Sequence, residues 1–254
     1  MQATQAVMPS TPQAPHSGLL ESLPGQAFGC ATSHERAMLS RLPEELSGQL
    51  FAAAVRSRLK AGKPLFLMGD RGDGCYRLEQ GLLKVVVTSP YGAERILAFL
   101  SVGSIAGELA LIDAQPRSAS LIAVEDCELS FIKQEAFAQI IEQNLQLSQY
   151  LVNVLAARLR EADQALAAAS FLTVKARLAS ALVALGELFG EEQGADHIVI
   201  RYKINQNDLA AMVGTARENV SRVLSSWKKR KIVTRSSGYW RLDDIASLRH
   251  SVQP

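Results

Sequence analysis

The sequence GELALIDAQPRSA at residues 107–119 places the carboxylate of Glu108 and the guanidinium of Arg117 at the two ends of one short turn. Gly107 lets the backbone approach an anion closely, and Arg117 with Ser118 offers a planar fork of donors beside a hydroxyl. Glu108 can accept a hydrogen bond from a ribose hydroxyl while Arg117 and Ser118 donate to phosphate oxygens. The turn therefore predicts a sugar-phosphate site, and the alternative is a plain ion pair between Glu108 and Arg117 on a loop.

The thirteen-residue run resembles the phosphate-binding cassette of cyclic-nucleotide-binding domains, which opens Gly-Glu-aliphatic-small-Leu and closes Pro-Arg-small-Ala. By this resemblance Glu108 binds the ribose 2′-OH. Arg117 and Ser118, together with local backbone amides, bind the cyclic phosphate. The ligand-binding set that the resemblance implies in the cassette is Gly107, Glu108, Leu109, Ala110, Arg117, Ser118 and Ala119.

The cassette lies within a stretch of short β-prone runs. From Lys60 onward a glycine recurs about every ten residues, which is typical of a β sandwich or jelly roll. The clearest strands are residues 82–87, 96–100 and 129–132. A loop between such strands is held rigid by its scaffold, so the cassette is predicted to sit on a β roll.

Composition divides the chain into four predicted segments. Residues 1–28 carry four prolines among polar and small residues and are predicted to be a disordered tail. Residues 29–133 form the cyclic-nucleotide-binding β-roll domain, beginning with a helical stretch over 34–59. Residues 134–170 form a dimerisation helix, and residues 171–254 form a winged-helix DNA-binding domain. The predicted fold class is therefore α+β.

The absence of glycine and proline between Gln134 and Ala169 favours one long helix. Leucines lie on or near one face of it, and small residues permit close approach of a second helix. The sequence thus predicts a homodimer built on this helix, with packing against its own β roll as the alternative. The leucines are Leu147, Leu151, Leu155, Leu159 and Leu166.

Residues 204–242 have the form of a helix-turn-helix followed by a hairpin. Asn205 is a suitable N-cap with Asp208 three residues on, and Gly214 breaks the chain before a second helix begins. On that second helix, at about 100° per residue, apolar side chains fill one arc and polar and basic side chains the opposite arc. Residues 232–242 then predict a hairpin wing.

The polar arc carries the predicted DNA-reading side chains Arg217, Glu218, Ser221 and Arg222. Arginine pairs bidentately with guanine and glutamate accepts from cytosine, so this set suits a G·C-containing step. The alternative for Glu218 is local, because Thr215 to Glu218 has capping-box spacing. The basic run 228–231 is assigned to phosphate contact or to solvent.

Charge and cysteine usage narrow the class of protein further. The net charge is +2, but residues 171–254 carry 13 basic and 8 acidic side chains against 14 and 17 before them, so the basic end is expected to meet double-stranded DNA. Cys30, Cys75 and Cys127 show no metal-ligand spacing and are expected to be free thiols. No apolar run reaches the ~18 residues of a membrane span, and there is no signal peptide, so a cytoplasmic, membrane-free protein is expected. No nucleophile–base–acid set or metal spacing supports an enzyme.

From about Leu50 to Leu248 the chain resembles the cyclic-AMP receptor protein/FNR superfamily of bacterial transcription regulators. The segment Arg217-Glu-Asn-Val-Ser-Arg222 is similar to the family's recognition helix. The resemblance implies a two-fold dimer on a palindromic site, allosteric control by a cyclic nucleotide, and RNA polymerase as a partner. Arg217 is shared with the branch of the family that favours TGTGA half-sites. The Glu-x-x-Ser-Arg form at Glu218 to Arg222 resembles the branch that favours TTGA half-sites.

Two departures from the family pattern affect the ligand. The N-terminal region has only Cys30, so the iron–sulfur cluster of FNR is not expected. Where the cyclic-AMP receptor places a Thr-Ser pair against adenine, this chain has Ala162 and Asp163. A carboxylate accepts from adenine N6 and matches the two donors of guanine better, so the predicted ligand is cyclic AMP or cyclic GMP, with Asp163 in contact or merely solvated.

Two alternatives stay open on the sequence alone. One is a regulator of the same fold that is independent of ligand or responds to another ligand such as cyclic di-GMP. The other is a non-DNA regulatory or docking subunit that uses the winged helix for protein contacts.

Overall fold

A computed structural model describes residues 43–193 and 197–252. The predicted tail over 1–28 and Cys30 lie outside the described residues. Residues 43–133, the described part of the first domain, contain one short helix and eight strands, with a second short helix inside the cassette. In chain order these are α1 Glu44–Leu50, β1 Val55–Leu59, β2 Pro64–Phe66, β3 Gly74–Gln80, β4 Leu83–Thr88, β5 Glu94–Leu100, β6 Ile105–Ala106, α2 Leu109–Ile112, β7 Ser120–Ala123 and β8 Cys127–Lys133.

The strands form two four-stranded antiparallel sheets, in the orders β1-β8-β3-β6 and β2-β7-β4-β5. The three strands expected at 82–87, 96–100 and 129–132 are confirmed as β4, β5 and β8. Inward side chains of both sheets form an apolar core between them, as alternation on a half-buried strand requires. Its buried members are Leu78, Leu83, Leu100, Ala106, Leu121, Ala123, Cys127 and Leu129. The predicted β roll is therefore present.

The cassette is the connection from β6 in one sheet to β7 in the other. Its middle is the four-residue helix α2, and an Asx-type bond from Gln115 N to Asp113 Oδ1 at 3.0 Å shapes the turn before Arg117. The two ends of the cassette are thus anchored on opposite sheets. This anchoring brings residues that are ten positions apart in sequence to one place.

The expected helical stretch over 34–59 is wrong in its last part, and its beginning lies outside the described residues. Helix α1 ends at Leu50, and Val55 starts β1, which pairs with β8 in the register Val55 to Phe131. The spacing of apolar residues that indicated a helix continues by chance as far as Val55, which is a β-branched residue and starts a strand. Strand pairing across about 75 residues decides the conformation there, because local propensity is a weak prior.

The single helix expected between Gln134 and Ala169 is also wrong, because the structure has two: α3 Gln134–Gln143 and α4 Leu145–Phe171. Asn144 between them is extended, and its side chain accepts a hydrogen bond from Leu147 N at 3.0 Å. Asparagine is a strong N-cap because its side chain satisfies a helix-start amide. The break therefore needs neither glycine nor proline.

The leucine stripe divides between two environments. Leu147 and Leu151 are buried against α1, α3 and the roll, so packing against its own roll is correct for the first half of α4. Leu159 and Leu166, farther along, are exposed. No helix in the described parts of the chain is long and apolar enough to cross a bilayer.

The C-terminal part begins at Val174, after the N-cap Thr173, with α5 Val174–Phe189. It continues with β9 Gly190–Glu192, β10 Ile198–Ile200, α6 Gln206–Val213, α7 Arg217–Lys229, β11 Val233–Ser236, β12 Tyr239–Leu242 and α8 Ile245–His250. The four strands form one antiparallel sheet, β11-β12-β10-β9, whose β11–β12 hairpin is the predicted wing. Trp227, Leu224 and Val220 of α7 are buried in the common core, so the apolar arc faces inward as predicted.

The helix-turn-helix forms as its sequence indicates. Asn205 and Asp208 make a reciprocal capping box at the start of α6, and Gly214 ends that helix in the left-handed conformation at φ 64°. Thr215 and Glu218 form no such cap at the start of α7, whose N-cap is Ala216 without a side-chain hydrogen bond. The local alternative for Glu218 is therefore wrong in this structure.

Two cations of the roll contact the two ends of α6. Lys84 Nζ of β4 lies 2.9 Å from Asp208 Oδ1 in the first turn, and both side chains are mostly buried. The guanidinium of Arg95 in β5 occupies the space where a side chain on Gly214 would lie. Burial lowers the pKa of Arg95, and the neighbouring cation Arg177 of α5 lowers it further. These contacts join the β roll to the helix-turn-helix.

Candidate functional site

Glu108, at the start of the cassette, is almost completely buried, with 2% of its surface exposed. Its Oε1 accepts a hydrogen bond from Nη1 of Arg158 on α4, and Arg158 Nη2 also donates to the carbonyl of Ile105 at 3.3 Å. A buried carboxylate requires such a counter-charge, because the charge is costly to desolvate alone. The long helix is therefore tied to the Glu108 end of the cassette by one ion pair.

Arg117, at the other end, is 3% exposed and is held by three acceptors. Nη1 donates to the carbonyl of Gly107 at 2.6 Å, and Nη2 donates to the carbonyl of Gly74 at 2.8 Å and to Asp73 Oδ1 at 2.9 Å. The guanidinium also lies over the ring of Phe66, 4.3 Å from its centroid. A planar group held on its face and on two edges has little freedom to reorient.

Glycine at 107 is required by both backbone and space. Its φ is 89°, and a Cβ there would lie 2.4 Å from Arg117 Nη1. Any side chain would be strained and would displace the guanidinium. The close neighbour of Gly107 in the structure is the side chain of Arg117, and the predicted approach of its backbone to an anion stays a prediction.

Two buried polar atoms of the cassette have no hydrogen-bond partner among the described residues: Glu108 Oε2 and Arg117 Nε. Leaving a buried donor or acceptor unpaired costs about 1–3 kcal/mol, so such atoms call for an explanation. One is an acceptor that fits a ribose hydroxyl and the other is a donor that fits a phosphate oxygen. The residues present therefore suit the sugar phosphate that the sequence predicts.

The remaining cassette residues play supporting parts. Ala110 and Ala119 are buried, Leu109 is partly buried, and the hydroxyl-bearing Ser118 is exposed. The simple ion pair between Glu108 and Arg117 is wrong, because Glu108 pairs with Arg158 and Arg117 with Asp73. Burial raises the pKa of the adjacent Cys75 thiol, and the Glu108 carboxylate raises it further. Cys75 therefore stays an uncharged thiol that packs in the core beside the cassette.

Sequence reasoning missed three contributors: Arg158, Asp73 and Phe66. Arg158 was one of several charged residues on a long helix, and only its packing against the cassette distinguishes it. Asp73 lies between Gly72 and Gly74, a spacing that indicated a turn and nothing more. A carboxylate between two glycines was the available signal, but nothing in the sequence connected it with Arg117, 44 residues away.

Asp163, the predicted base-contacting residue, is exposed on α4, as is Ala162. Within residues 43–193 and 197–252, no hydrogen bond or ion pair joins Asp163 to the cassette. The structure of one chain therefore brings Glu108 and Arg117 together in the cassette but leaves Asp163 apart from them. A role for Asp163 stays a prediction.

The predicted DNA-reading residues share one open surface of α7. Arg217, Glu218 and Arg222 are exposed and Ser221 is partly exposed, whereas the opposite side of the helix is buried. Arg222 Nη1 lies 3.5 Å from Asn219 Oδ1, at the limit of a hydrogen bond. The basic run 228–231 and Arg235 of the wing are also exposed, so the domain carries several cations at its surface that are open to a polyanion.

A β roll whose cassette holds a buried carboxylate and a buried guanidinium, joined by a long helix to a helix-turn-helix with exposed cations, defines the class of two-domain regulators that combine a cyclic-nucleotide-binding fold with a DNA-binding domain. The cyclic nucleotide-binding domain family matches residues 56–144, and the Crp-like helix-turn-helix domain family matches residues 176–251. The chain belongs to the cyclic-AMP receptor protein/FNR family of transcription regulators and is not an enzyme.

Similar proteins agree with this assignment. The cyclic AMP receptor protein of Thermus thermophilus is 37% identical over 187 residues, which are 74% of this chain and 83% of that protein. The solved structure of TTHA1359, a CRP/FNR-family regulator of the same species, is 25% identical with a TM-score of 0.66 and covers 78% of this chain and 98% of its own. The c-di-GMP-responsive regulator CLP of Xanthomonas campestris shares the fold at 22% identity and a TM-score of 0.67, covering 79% and 99%.

Proposed function

We propose that this protein is a homodimeric transcription regulator whose affinity for a palindromic DNA site is controlled by cyclic AMP or cyclic GMP bound at the cassette. The observation that carries the ligand assignment is the pair of unpaired buried atoms, Glu108 Oε2 and Arg117 Nε. Relatives such as the CRP-like cAMP-activated global transcriptional regulator of Mycobacterium tuberculosis, 29% identical over 169 residues, support it. RNA polymerase is the partner that the family implies.

The coupling between ligand and DNA runs through Arg158. The side chains of Glu108 and Arg117 are shielded from solvent, while Arg158 is one-third exposed and bonds both Glu108 and Ile105. A ribose hydroxyl that donates to Glu108 Oε2 adds a second hydrogen bond to the carboxylate that Arg158 holds through Oε1, and thereby changes the strength of that ion pair. Arg158 lies on α4, which leads to the winged helix after Phe171. A change in the bonding of Arg158 therefore changes the relative free energies of different positions of α4. Ligand then favours one arrangement of the DNA-binding domains by its differential affinity for it.

A mobility-shift titration tests the function directly. Palindromic TGTGA and TTGAT probes and a scrambled probe are titrated with protein alone and with cyclic AMP, cyclic GMP or cyclic di-GMP. We expect one cyclic mononucleotide to lower the half-shift concentration on a palindrome at least ~5-fold, as allosteric coupling of ordinary size requires. Equal half-shift concentrations with and without every nucleotide would contradict ligand control. A response to cyclic di-GMP alone would assign the cassette to a different ligand.

The second copy of the chain is assigned to the exposed side of α4. Four exposed apolar residues recur at intervals of seven: Leu145, Val152, Leu159 and Leu166, each between 64% and 73% exposed. A seven-residue apolar repeat is the pattern of two helices that supercoil around each other. The opposite side of the first half of α4 is already buried against the roll, so the repeat is free to meet a second copy.

Replacing Leu159 with glutamate should convert the dimer to monomer. A charge in the middle of an apolar seam has to be desolvated without a partner, which weakens association at least ~100-fold. Sedimentation velocity measures the result as a change from twice 27.5 kDa to 27.5 kDa. The matched control is Asn153→Glu, which adds the same charge at an exposed position beside the seam. Equal dimer stability in the two variants would place the interface elsewhere.

The base preference is assigned to Asp163. It lies one helical turn after Leu159 on the same side of α4, at the edge of the proposed seam, where it can face a nucleotide bound in either copy. A carboxylate there accepts from guanine N1–H and N2–H₂ together, or from adenine N6 alone.

The variant Asp163→Ala should therefore lose affinity for cyclic GMP by about tenfold and for cyclic AMP by less. Calorimetry with each nucleotide measures both affinities. Glu161→Ala is the control, because it removes a carboxylate from another side of the same helix. If Asp163→Ala binds both nucleotides as the wild type does, Asp163 is a solvated residue.

A further inference from the structure

Asp73 is an acidic residue placed directly at the proposed phosphate-binding arginine. Its Oδ1 accepts from Arg117 Nη2 at 2.9 Å, and while the Arg117 side chain is 2% exposed, that of Asp73 is 67% exposed. A bound phosphate is an anion that seeks the same guanidinium. The carboxylate of Asp73 and the ligand therefore share one positive charge.

The backbone holds Asp73 at this position. A Cβ on Gly74 would lie 2.2 Å from the carbonyl oxygen of Ile132, and a Cβ on Gly72 would lie 2.7 Å from Cβ of Ala110. The chain is thus packed tightly on both sides of Asp73, and the Asp73 carbonyl accepts from Gln134 N at 3.1 Å. The segment cannot withdraw when ligand arrives, so the carboxylate stays within reach of Arg117 even if its side chain rotates.

The two ion pairs at the ends of the cassette balance in charge without any ligand. Glu108 pairs with Arg158, and Arg117 pairs with Asp73, so two carboxylates face two guanidiniums. Of the donors on Arg117, Nη2 already serves Gly74 and Asp73, while Nε has no partner among the described residues. An anion that binds here gives the site a net negative charge. The cost of binding therefore rises with the charge of the anion.

We infer that Asp73 is a specificity-determining residue that limits the phosphate to a single negative charge. The inference rests on the proposed function of the cassette. A cyclic phosphodiester carries one charge, whereas a phosphomonoester carries about −1.5 to −2 at pH 7. Repulsion from Asp73 grows in proportion to that charge. The site accepts a cyclic nucleotide and discriminates against the nucleoside 5′-monophosphate that hydrolysis of the cyclic ester yields.

The consequence for signalling is a sensor that ignores the hydrolysis product of its own ligand. The 5′-monophosphate keeps the base and the ribose that the rest of the site contacts, and differs by ring opening and added charge. Ring opening changes shape in every variant alike. Asp73 controls the electrostatic contribution to the discrimination against the 5′-monophosphate. The substitution Asp73→Asn removes that contribution without altering the shape of the site.

Calorimetry with a charge series of ligands tests the inference. A nucleoside, its cyclic 3′,5′-monophosphate and its 5′-monophosphate are titrated into the wild type, Asp73→Asn and Asp126→Asn. Asparagine keeps an oxygen that accepts from Arg117 and removes only the charge. Asp126 is the matched control, because it is an exposed carboxylate of the same roll, paired with Lys60 rather than with Arg117. Asp73→Ser serves as a second neutral variant.

In Asp73→Asn we expect unchanged affinity for the nucleoside, about fivefold tighter binding of the cyclic nucleotide, and roughly twentyfold tighter binding of the 5′-monophosphate. Asp126→Asn should match the wild type for all three. An equal change for all three ligands, or the same change in Asp126→Asn, overturns the inference while the cassette assignment stands. If the wild type binds no cyclic nucleotide, the proposed function is wrong, and the role of Asp73, which rests on it, is wrong as well.

Discussion

Replacing Arg117 with alanine should weaken cyclic-nucleotide binding at least ~100-fold and abolish the effect of ligand on DNA binding. The guanidinium is the buried cation at the end of the cassette that is proposed to hold the phosphate, and charge-assisted hydrogen bonds to it contribute about 1.5–3 kcal/mol each. Alanine removes both the charge and the free Nε donor. Calorimetry measures the loss of binding, and mobility shift on a palindromic probe measures the loss of response.

Non-specific DNA binding should remain within about twofold of wild type in the same variant, with the same dependence on salt, because that binding arises from phosphate contacts. Arg117 lies in the β roll, whereas the exposed cations of α7 and the wing lie in the other domain. The matched control is Arg58→Ala, which removes an exposed arginine of the same roll that pairs with Glu128. Retention of nucleotide response in Arg117→Ala would contradict the cassette assignment.

Arg117 also has a structural part, so a second variant is needed. Alanine leaves the carbonyls of Gly107 and Gly74 without their donor, which lowers the free energy of unfolding of the roll. Arg117→Lys retains the charge but not the planar fork. We expect it to fold as the wild type does and to bind nucleotide more weakly than wild type but more tightly than alanine. Thermal unfolding of all three proteins separates misfolding from loss of binding.

Replacing Arg158 with alanine should lower the free energy of unfolding by about 2–3 kcal/mol, less than the ~3–5 kcal/mol of a fully buried pair because Arg158 is one-third exposed. Glu108 would then be 2% exposed with neither oxygen paired, since Oε2 already has no partner among the described residues. For a chain of this size the melting midpoint should fall by roughly 5–10 °C. Arg160→Ala, at an exposed position two residues further along α4, is the control.

A double variant identifies the cause of that loss. Glu108→Gln replaces the unpaired carboxylate with a neutral amide, whose burial costs less. The double variant Glu108→Gln/Arg158→Ala should therefore melt above Arg158→Ala alone. Additive effects of the two substitutions would show that Glu108 and Arg158 are not coupled. A midpoint for Arg158→Ala equal to that of Arg160→Ala would contradict the importance of the pair.

Local chemistry made much of the fold predictable. Strands β4, β5 and β8, the capping box from Asn205 to Asp208 and the left-handed end at Gly214 all follow from spacings of a few residues. Such features depend on the backbone preferences of the residues themselves. The same reasoning was wrong where distant pairing or a side-chain cap intervened, at Val55 in a strand and at Asn144 between two helices.

The site was predictable in part for the same reason. Glu108 and Arg117 belong to one contiguous motif, so their proximity follows from a short turn. Their partners do not, because Arg158 is 50 residues from Glu108 and Asp73 is 44 residues from Arg117. Only the packing of α4 and of the loop before β3 against the cassette joins them. The leucine stripe likewise indicated an apolar face, without showing that its first half would be buried against the β roll of the same chain.

The cassette motif, the amphipathic helix α7 with its exposed arginines and the acidic-to-basic division of charge were determined by the sequence alone, because each resides in consecutive residues or in bulk composition. The tertiary structure alone decided which charges compensate which. A buried ion must find its counter-charge wherever the fold provides one, irrespective of distance along the chain. For this reason the Glu108 carboxylate is tied to the long helix through Arg158, and Arg117 is paired with Asp73.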